Sequence, residues 1–294
     1  MQNPEFPSDI YAVESHIKLH GFETGDALIE VSPRKDECTL RTEDITEAIT
    51  QHKDKLRLVM FSAVNYFTGQ YFDIPAIAET CRRYGIYFGL DLAHAIGNVP
   101  LQLHDWDVDF ATWCSYKYLN SGPGGVSGIF VHEKHHGSNL PRLAGWWGNN
   151  EKKRFLMLKN FEPMTGAEGW QQSNAPILSM AAHRAALEIF DEVGIEALRK
   201  KSIALTGFAE QLIIHSRTYE RGILEIITPA KAEHRGCQLS LRVKENGREF
   251  FNTLLMQNII CDWREPDVIR IAPVPLYNSF EDVWKFSRAL EQIA

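Results

Sequence analysis

Two short apolar runs, each delivering a polar residue at its end, constrain this chain more than any other feature. Ile86-Tyr87-Phe88-Gly89-Leu90 ends in Asp91, and Val108-Asp109-Phe110-Ala111-Thr112-Trp113 leads into Ser115-Tyr116-Lys117. Both are short and rich in aromatic or β-branched residues, which marks them as buried strands. Strands and helices alternate around them. Leu56–Phe61 reads as a strand ending in Ser62, Thr42–His52 as a capped helix with Ile45 and Ile49 on one face, and Asp73–Tyr84 as a helix stopped at Gly85. Ala27–Val31 and Val126–Val131 read as further strands, and Ser8 as the cap of a first helix running through Lys18 to a stop at Gly21. The alternation predicts an α/β fold with a parallel or mixed sheet and helices on both faces. Such sheets place their ligands beyond the strand ends, where Asp91 and Lys117 fall.

That pairing has a chemistry. A lysine amine condenses with the aldehyde of pyridoxal 5'-phosphate, and a carboxylate keeps its pyridine nitrogen protonated, so that the ring serves as an electron sink. Most lysines and aspartates at strand ends are simply solvated or paired for structure, so the neighbours matter. His94 follows Asp91 by three residues, Tyr116 precedes Lys117, and Ser121-Gly122-Pro123-Gly124-Gly125 supplies a loop whose backbone can approach a ligand closely.

Composition excludes other classes. A net charge of −7 with no basic stripe argues against nucleic acid as a partner. No run of eighteen apolar residues occurs, and the first twenty carry charges and prolines rather than an apolar signal core, so neither a membrane span nor a secretory peptide is expected. Five scattered cysteines without a CxxC pair fit reduced thiols in a cytoplasmic protein. His132-Glu133-Lys134-His135-His136 matches the H-E-x-x-H zinc pattern. It follows a strand and meets Gly137 at once, too short a helix to put two histidines on one face, so no metal site is expected there.

The Gly89–Gly125 segment, with Phe6-Pro7-Ser8-Asp9, Arg142-Leu143-Ala144-Gly145-Trp146-Trp147-Gly148, Gln171-Gln172-Ser173-Asn174-Ala175-Pro176 and Ile269-Arg270-Ile271-Ala272-Pro273-Val274-Pro275-Leu276-Tyr277, resembles the kynureninase family of pyridoxal phosphate enzymes over nearly the whole chain. The resemblance implies a fold-type-I transferase-like architecture, with a large cofactor domain over residues 1–175 and a small C-terminal α+β domain over 176–294. It implies hydrolysis of kynurenine or 3-hydroxykynurenine to alanine and anthranilate or its 3-hydroxy form, serving tryptophan catabolism and NAD biosynthesis. Roles follow residue by residue. Lys117 holds the cofactor and moves the α-proton, Asp91 faces the pyridine nitrogen, and His94 lies beside the ring. Tyr116 touches the phosphate and relays a proton to the β-carbon. Phe6, Pro7, Ser8 and Asp9 form the cofactor-facing motif, with Phe6 against the ring, and Ser62 sits near it. Trp146 and Asn174 reach a neighbouring subunit's site in a homodimer, and Arg270, with Asn174, binds the substrate, Arg270 gripping its α-carboxylate. The family places its Phe-Pro motif well inside the chain, after a phosphate-binding loop. An N-terminally truncated form that holds the cofactor phosphate weakly is therefore expected. The competing readings are a sister enzyme of the same fold, a cysteine desulfurase or an aminotransferase, and an inactive binding or dimerisation module.

Beyond Pro176 the sequence predicts helices over Ile177–Asp191, Gly194–Ser216, Arg248–Gln257 and Ser279–Ile293, with short strands at Ile223–Ile227, Gln238–Val243, Ile259–Cys261 and Val268–Ala272.

Overall fold

The computed structural model describes residues 1–293. Helices α1 (Pro7–Leu19), α2 (Thr24–Ala27) and α3 (Thr42–His52) precede strand β1 (Leu58–Ser62), helix α4 (Ile74–Tyr84), and strands β2 (Tyr87–Asp91), β3 (Phe110–Trp113) and β4 (Gly128–Val131). The four strands form one sheet in sequence order, parallel from β1 to β3 and antiparallel between β3 and β4. The register decides the site. Ser62 pairs with Asp91 and Asp91 with Thr112, so the polar ends of neighbouring strands lie side by side.

α4 forms because its sequence carries both stop signals and a stripe. Asp73 caps it by accepting the Ala76 N–H at 3.1 Å, Pro75 fits the first turn, and Gly85 ends it at φ +65°, a conformation open to a residue without a Cβ. Ile74, Ile77, Ala78 and Cys81 face inward, joining Ile45 and Ile49 of α3 and Phe61, Phe88 and Leu90 of the sheet. Each such side chain fully removed from water contributes about 1.5–3 kcal/mol before entropy is subtracted.

The second half carries helices α5 (Ile177–Val193), α6 (Ile195–Ile214) and α7 (Arg217–Glu220), strands β5 (Leu224–Ile226) and β6 (Leu239–Val243), helix α8 (Gly247–Met256), strands β7 (Asp262–Arg264) and β8 (Val268–Ile271), and helix α9 (Phe280–Ile293). Its antiparallel sheet runs β5-β6-β8-β7. A separate core packs Leu205 and Ile213 of α6, Leu254 of α8 and Leu290 of α9 on Leu239 and Leu241. Among the described residues no helix is long and apolar enough to cross a membrane.

Four local expectations are corrected. Ala27–Val31 is not a strand: the chain makes a helical turn through Ala27, and Val31 forms only a parallel bridge to Gln2, so no ladder partner extends it. Ser8 does not cap α1, because Pro7 already occupies the first turn and Phe6 stands at the cap position without a side-chain bond. α3 likewise lacks a side-chain cap at Arg41. The strand placed at Ile259–Cys261 begins at Asp262 instead, after α8 unwinds through Asn258 at φ +60°.

Candidate active site

The site sits where β1, β2 and the loop after β3 end. Lys117 rides on a tight turn tied down from both sides. Ser115 and Ser121 are buried and bonded to each other at 2.6 Å, Ser115 also donates to the Val126 carbonyl, and the Asn120 N–H closes on the Lys117 carbonyl at 3.1 Å. Gly97, at φ +75°, lets the turn after Asp91 press on this loop, since a Cβ there would lie 2.9 Å from the Tyr118 carbonyl oxygen. The result aims the lysine: its Nζ lies 3.2 Å from His94 Nε2 and 5.5 Å from the centre of the Phe6 ring. Phe6 is braced edge-on by Tyr66 at 5.3 Å.

Asp91 accepts the Ala93 N–H at 2.8 Å and has the Asp9 carboxyl close enough for each to shift the other's pKa. Ser62, across the register, donates to Glu5 at 2.9 Å, and Glu5 also accepts the Phe6 N–H at 2.7 Å. Three carboxylates thus cluster together, and the charge of Lys117 acts on two of them, Asp9 and Asp91. Burial, the largest cause, raises the pKa of Asp91 and of Glu5. Burial, then Asp91 and Glu5, pushes Asp9 up to about 7. Burial and the charges of Lys117, Arg270 and Arg264 push His94 well down, so its ring is neutral. Two buried polar atoms here, Asp9 Oδ2 and His94 Nδ1, have no partner. Acidic groups destabilised by burial, beside a reactive amine and a flat aromatic, suit a cationic heterocycle that carries an aldehyde.

Not every expected residue joins this cluster. Pro7 and Ser8 are exposed on the first turn of α1. Tyr116 is 53% exposed, and the Cys114 thiol beside it, through a hydrogen bond, is the largest cause that raises its pKa. Trp146 packs edge-on against Phe155 and is 41% exposed, while Asn174 is exposed and hydrogen-bonded to Ser173. Arg270, in contrast, comes in from β8 nearly buried and donates from Nη1 to the Tyr66 carbonyl at 2.5 Å. Glu5 went unpredicted because a lone glutamate ordinarily marks a solvated position, and only the fold buries it. The histidine-rich stretch is used elsewhere: His132 stacks on His104, and His135 and Lys134 pair with Asp109 at 2.6 and 2.9 Å.

Solved structures share the architecture. The cysteine desulfurase CsdA of Escherichia coli superposes with a TM-score of 0.80 at 14% identity, covering 99% of this chain and 70% of that one. The cystine C-S lyase C-DES, solved with cysteine persulfide, gives 0.80 at 20% identity, covering 99% and 74%. The fold is that of the fold-type-I pyridoxal phosphate-dependent enzymes.

Sequence comparison narrows the class. Residues 198–290 match the kynureninase C-terminal domain and residues 23–105 the DegT/DnrJ/EryC1/StrS aminotransferase family. A kynureninase of Flavobacterium psychrophilum is 52% identical over 289 residues, covering 98% of this chain and 68% of that protein. One of Stenotrophomonas maltophilia is 52% identical over 295 residues, covering 99% and 69%. The chain belongs to the kynureninase family.

Proposed function

We propose that this protein hydrolyses the Cβ–Cγ bond of L-kynurenine or 3-hydroxykynurenine, releasing L-alanine and anthranilate or 3-hydroxyanthranilate. The observation that carries the reading is the convergence of Lys117, His94, Phe6, Asp9 and Asp91 on one strand-end cleft, in a chain half identical to kynureninases. Pyridoxal phosphate, when bound, supplies the electron sink that stabilises charge on the substrate carbons.

The chain's own residues do the rest. Lys117 Nζ would hold the cofactor aldehyde and, when free, would move the proton at the substrate α-carbon. The neutral His94 ring lies 3.2 Å from that amine and accepts from it without adding charge. Asp91 would accept the pyridine N–H, a positive partner that would relieve the burial penalty on its carboxylate. Asp9, pushed up to about 7 beside Asp91, would hold a proton near it, and Phe6 would flank the ring. Ser62 links Glu5 to this floor. Tyr116 is assigned the phosphate contact and a proton to the β-carbon. Arg270 holds the substrate α-carboxylate. Trp146 and Asn174, both exposed, are assigned to the site of a second copy in a homodimer, with Asn174 at the substrate. We place the division between large and small domains at residue 175, and the enzyme in the cytoplasm, in tryptophan catabolism leading to NAD biosynthesis.

The competing desulfurase reading rests on fold likeness at 14% identity and the aminotransferase reading on a family match confined to residues 23–105, and both predict different products. Purified protein given pyridoxal phosphate and L-kynurenine should release anthranilate and alanine in equal amounts. Sulfide from cysteine, or keto-acid-dependent conversion without anthranilate, would overturn the proposal, and no turnover of any kind would favour a binding module.

A further inference from the structure

Asp262 is a charged residue that the reaction scheme above does not use, yet it is bound into the substrate side of the site. It pairs in register with Arg270 across the antiparallel strands β7 and β8, and Arg264 stands two residues along β7 on the same face. Asp262 Oδ2 accepts Arg270 Nε at 2.6 Å and lies 2.5 Å from Arg270 Nη2. Arg264 Nε donates to the same oxygen at 2.9 Å, and Arg264 Nη2 to Oδ1 at 3.3 Å. On the far side, Arg270 Nη1 donates to the Tyr66 carbonyl.

Counting hydrogens on the guanidinium gives the consequence. A guanidinium has about five N–H bonds in a fixed plane. Asp262 takes the one on Nε and one on Nη2, and Tyr66 takes one on Nη1. One N–H remains on each terminal nitrogen. Those two are the hydrogens left for a carboxylate, which accepts bidentately from a guanidinium. Asp262 and the Tyr66 carbonyl together hold the guanidinium plane, and the two unused N–H bonds are those a ligand can meet.

We infer that Asp262 is a positioning residue for recognition of the substrate α-carboxylate: with the Tyr66 carbonyl it locks the Arg270 guanidinium so that its two unused N–H bonds are presented, and Arg264 retains Asp262 when a second carboxylate arrives. The inference rests on the reading that Arg270 grips that carboxylate. Burial argues for positioning over general stability. The Arg270 side chain is 10% exposed, while Asp262 is 45% and Arg264 36% exposed. So open a carboxylate contributes little to folding, but it is well placed to orient the arginine. The triad of two cations and one anion also keeps a net positive charge for an incoming anion. Asp262 and Arg270 line a cleft of about 570 Å³ with Cys261 and Tyr277, which gives water room to fill the space of a shortened side chain.

The test compares Asp262→Ala, Asp262→Asn, Asp262→Glu and Arg270→Lys in the cofactor-loaded enzyme. Two ligands are used: L-kynurenine, and the amine left when its α-carboxylate is removed, read as a competitive inhibitor. Asp262→Ala should raise KM for L-kynurenine by about tenfold, with kcat changed less than about threefold. The decarboxylated amine should bind as to wild type, and Asp262→Glu should recover part of the loss. If Asp262→Ala melts below the assay temperature, Asp262→Asn, which keeps the volume, should show the same direction at about threefold. An unchanged or lowered KM, or equal weakening of both ligands, overturns the inference. Arg270→Lys separates the two layers. If it raises KM while Asp262 variants do not, only the positioning role fails; if it leaves KM unchanged, the carboxylate reading fails and the inference with it.

Discussion

Replacing Asp91 by Asn should move stability and turnover in opposite directions. Asn keeps the volume and, through Oδ1, can still accept the Ala93 N–H that Asp91 holds at 2.8 Å. It removes a charge that burial already disfavours. Because the folded pKa is raised, the folded state prefers the protonated form. The stability Asp91 contributes is therefore full below its unfolded value of about 3.9 and is lost as pH rises through the folded value. Asn resembles the protonated form at every pH. In protein freed of cofactor, wild type and variant should melt together at acidic pH and diverge at alkaline pH, where relief of about 1 kcal/mol raises the variant's Tm by roughly 2 °C. Turnover should go the other way. With the cofactor bound, the lost carboxylate is one half of a buried, hydrogen-bonded charge pair, and removing one partner costs about 2–5 kcal/mol. At about 1.4 kcal/mol per factor of ten, kcat should fall by roughly 30- to 4000-fold. Anthranilate fluorescence at saturating cofactor reads the rate, and circular dichroism reads the melt. Wild-type turnover would place the pyridine partner elsewhere, and a lower Tm at alkaline pH would refute the burial argument.

Three further outcomes are expected. Borohydride treatment of the loaded protein should attach cofactor to Lys117, and Lys117→Ala should abolish the adduct; mass spectrometry that finds it on another lysine removes the assignment. Asp9, pushed up to about 7 by burial and its acidic neighbours, should make the cofactor-free protein lose stability as pH rises from about 4 through 7, so Asp9→Asn should flatten that slope, and an unchanged slope would assign it to other groups. Gly97→Val should destabilise by about 1–3 kcal/mol, because it forces a branched residue to a positive φ against the Tyr118 carbonyl; it should also loosen the Lys117 loop, seen as lower cofactor affinity, and a wild-type melt would show that the loop yields freely.

The sequence by itself determined the elements and the two reactive groups. Asp73 and Gly85 bound α4 in the chain as they do in the fold, Ile45 and Ile49 chose the buried face of α3, and strand ends delivered Asp91 and Lys117. Those features are local, set by capping, backbone permissiveness and periodicity, so they survive without knowledge of the rest. Tertiary structure decided what local pattern cannot encode. Register brought Ser62 beside Asp91, and packing of the α1 entry buried Glu5 against Ser62, joining a third carboxylate to the cluster. Pairing of β7 with β8 turned Arg270, which on pattern alone could have pointed to solvent, into a guanidinium held by Asp262 and the Tyr66 carbonyl. A strand's two-residue period says which side chains share a face, but not which neighbouring strand meets them or at what offset. Burial then sets the charge states, since the same carboxylate is ionised in water and resists ionisation inside. That is why the chemistry of Asp9, Asp91 and His94 is a property of the fold and not of the motif that contains them.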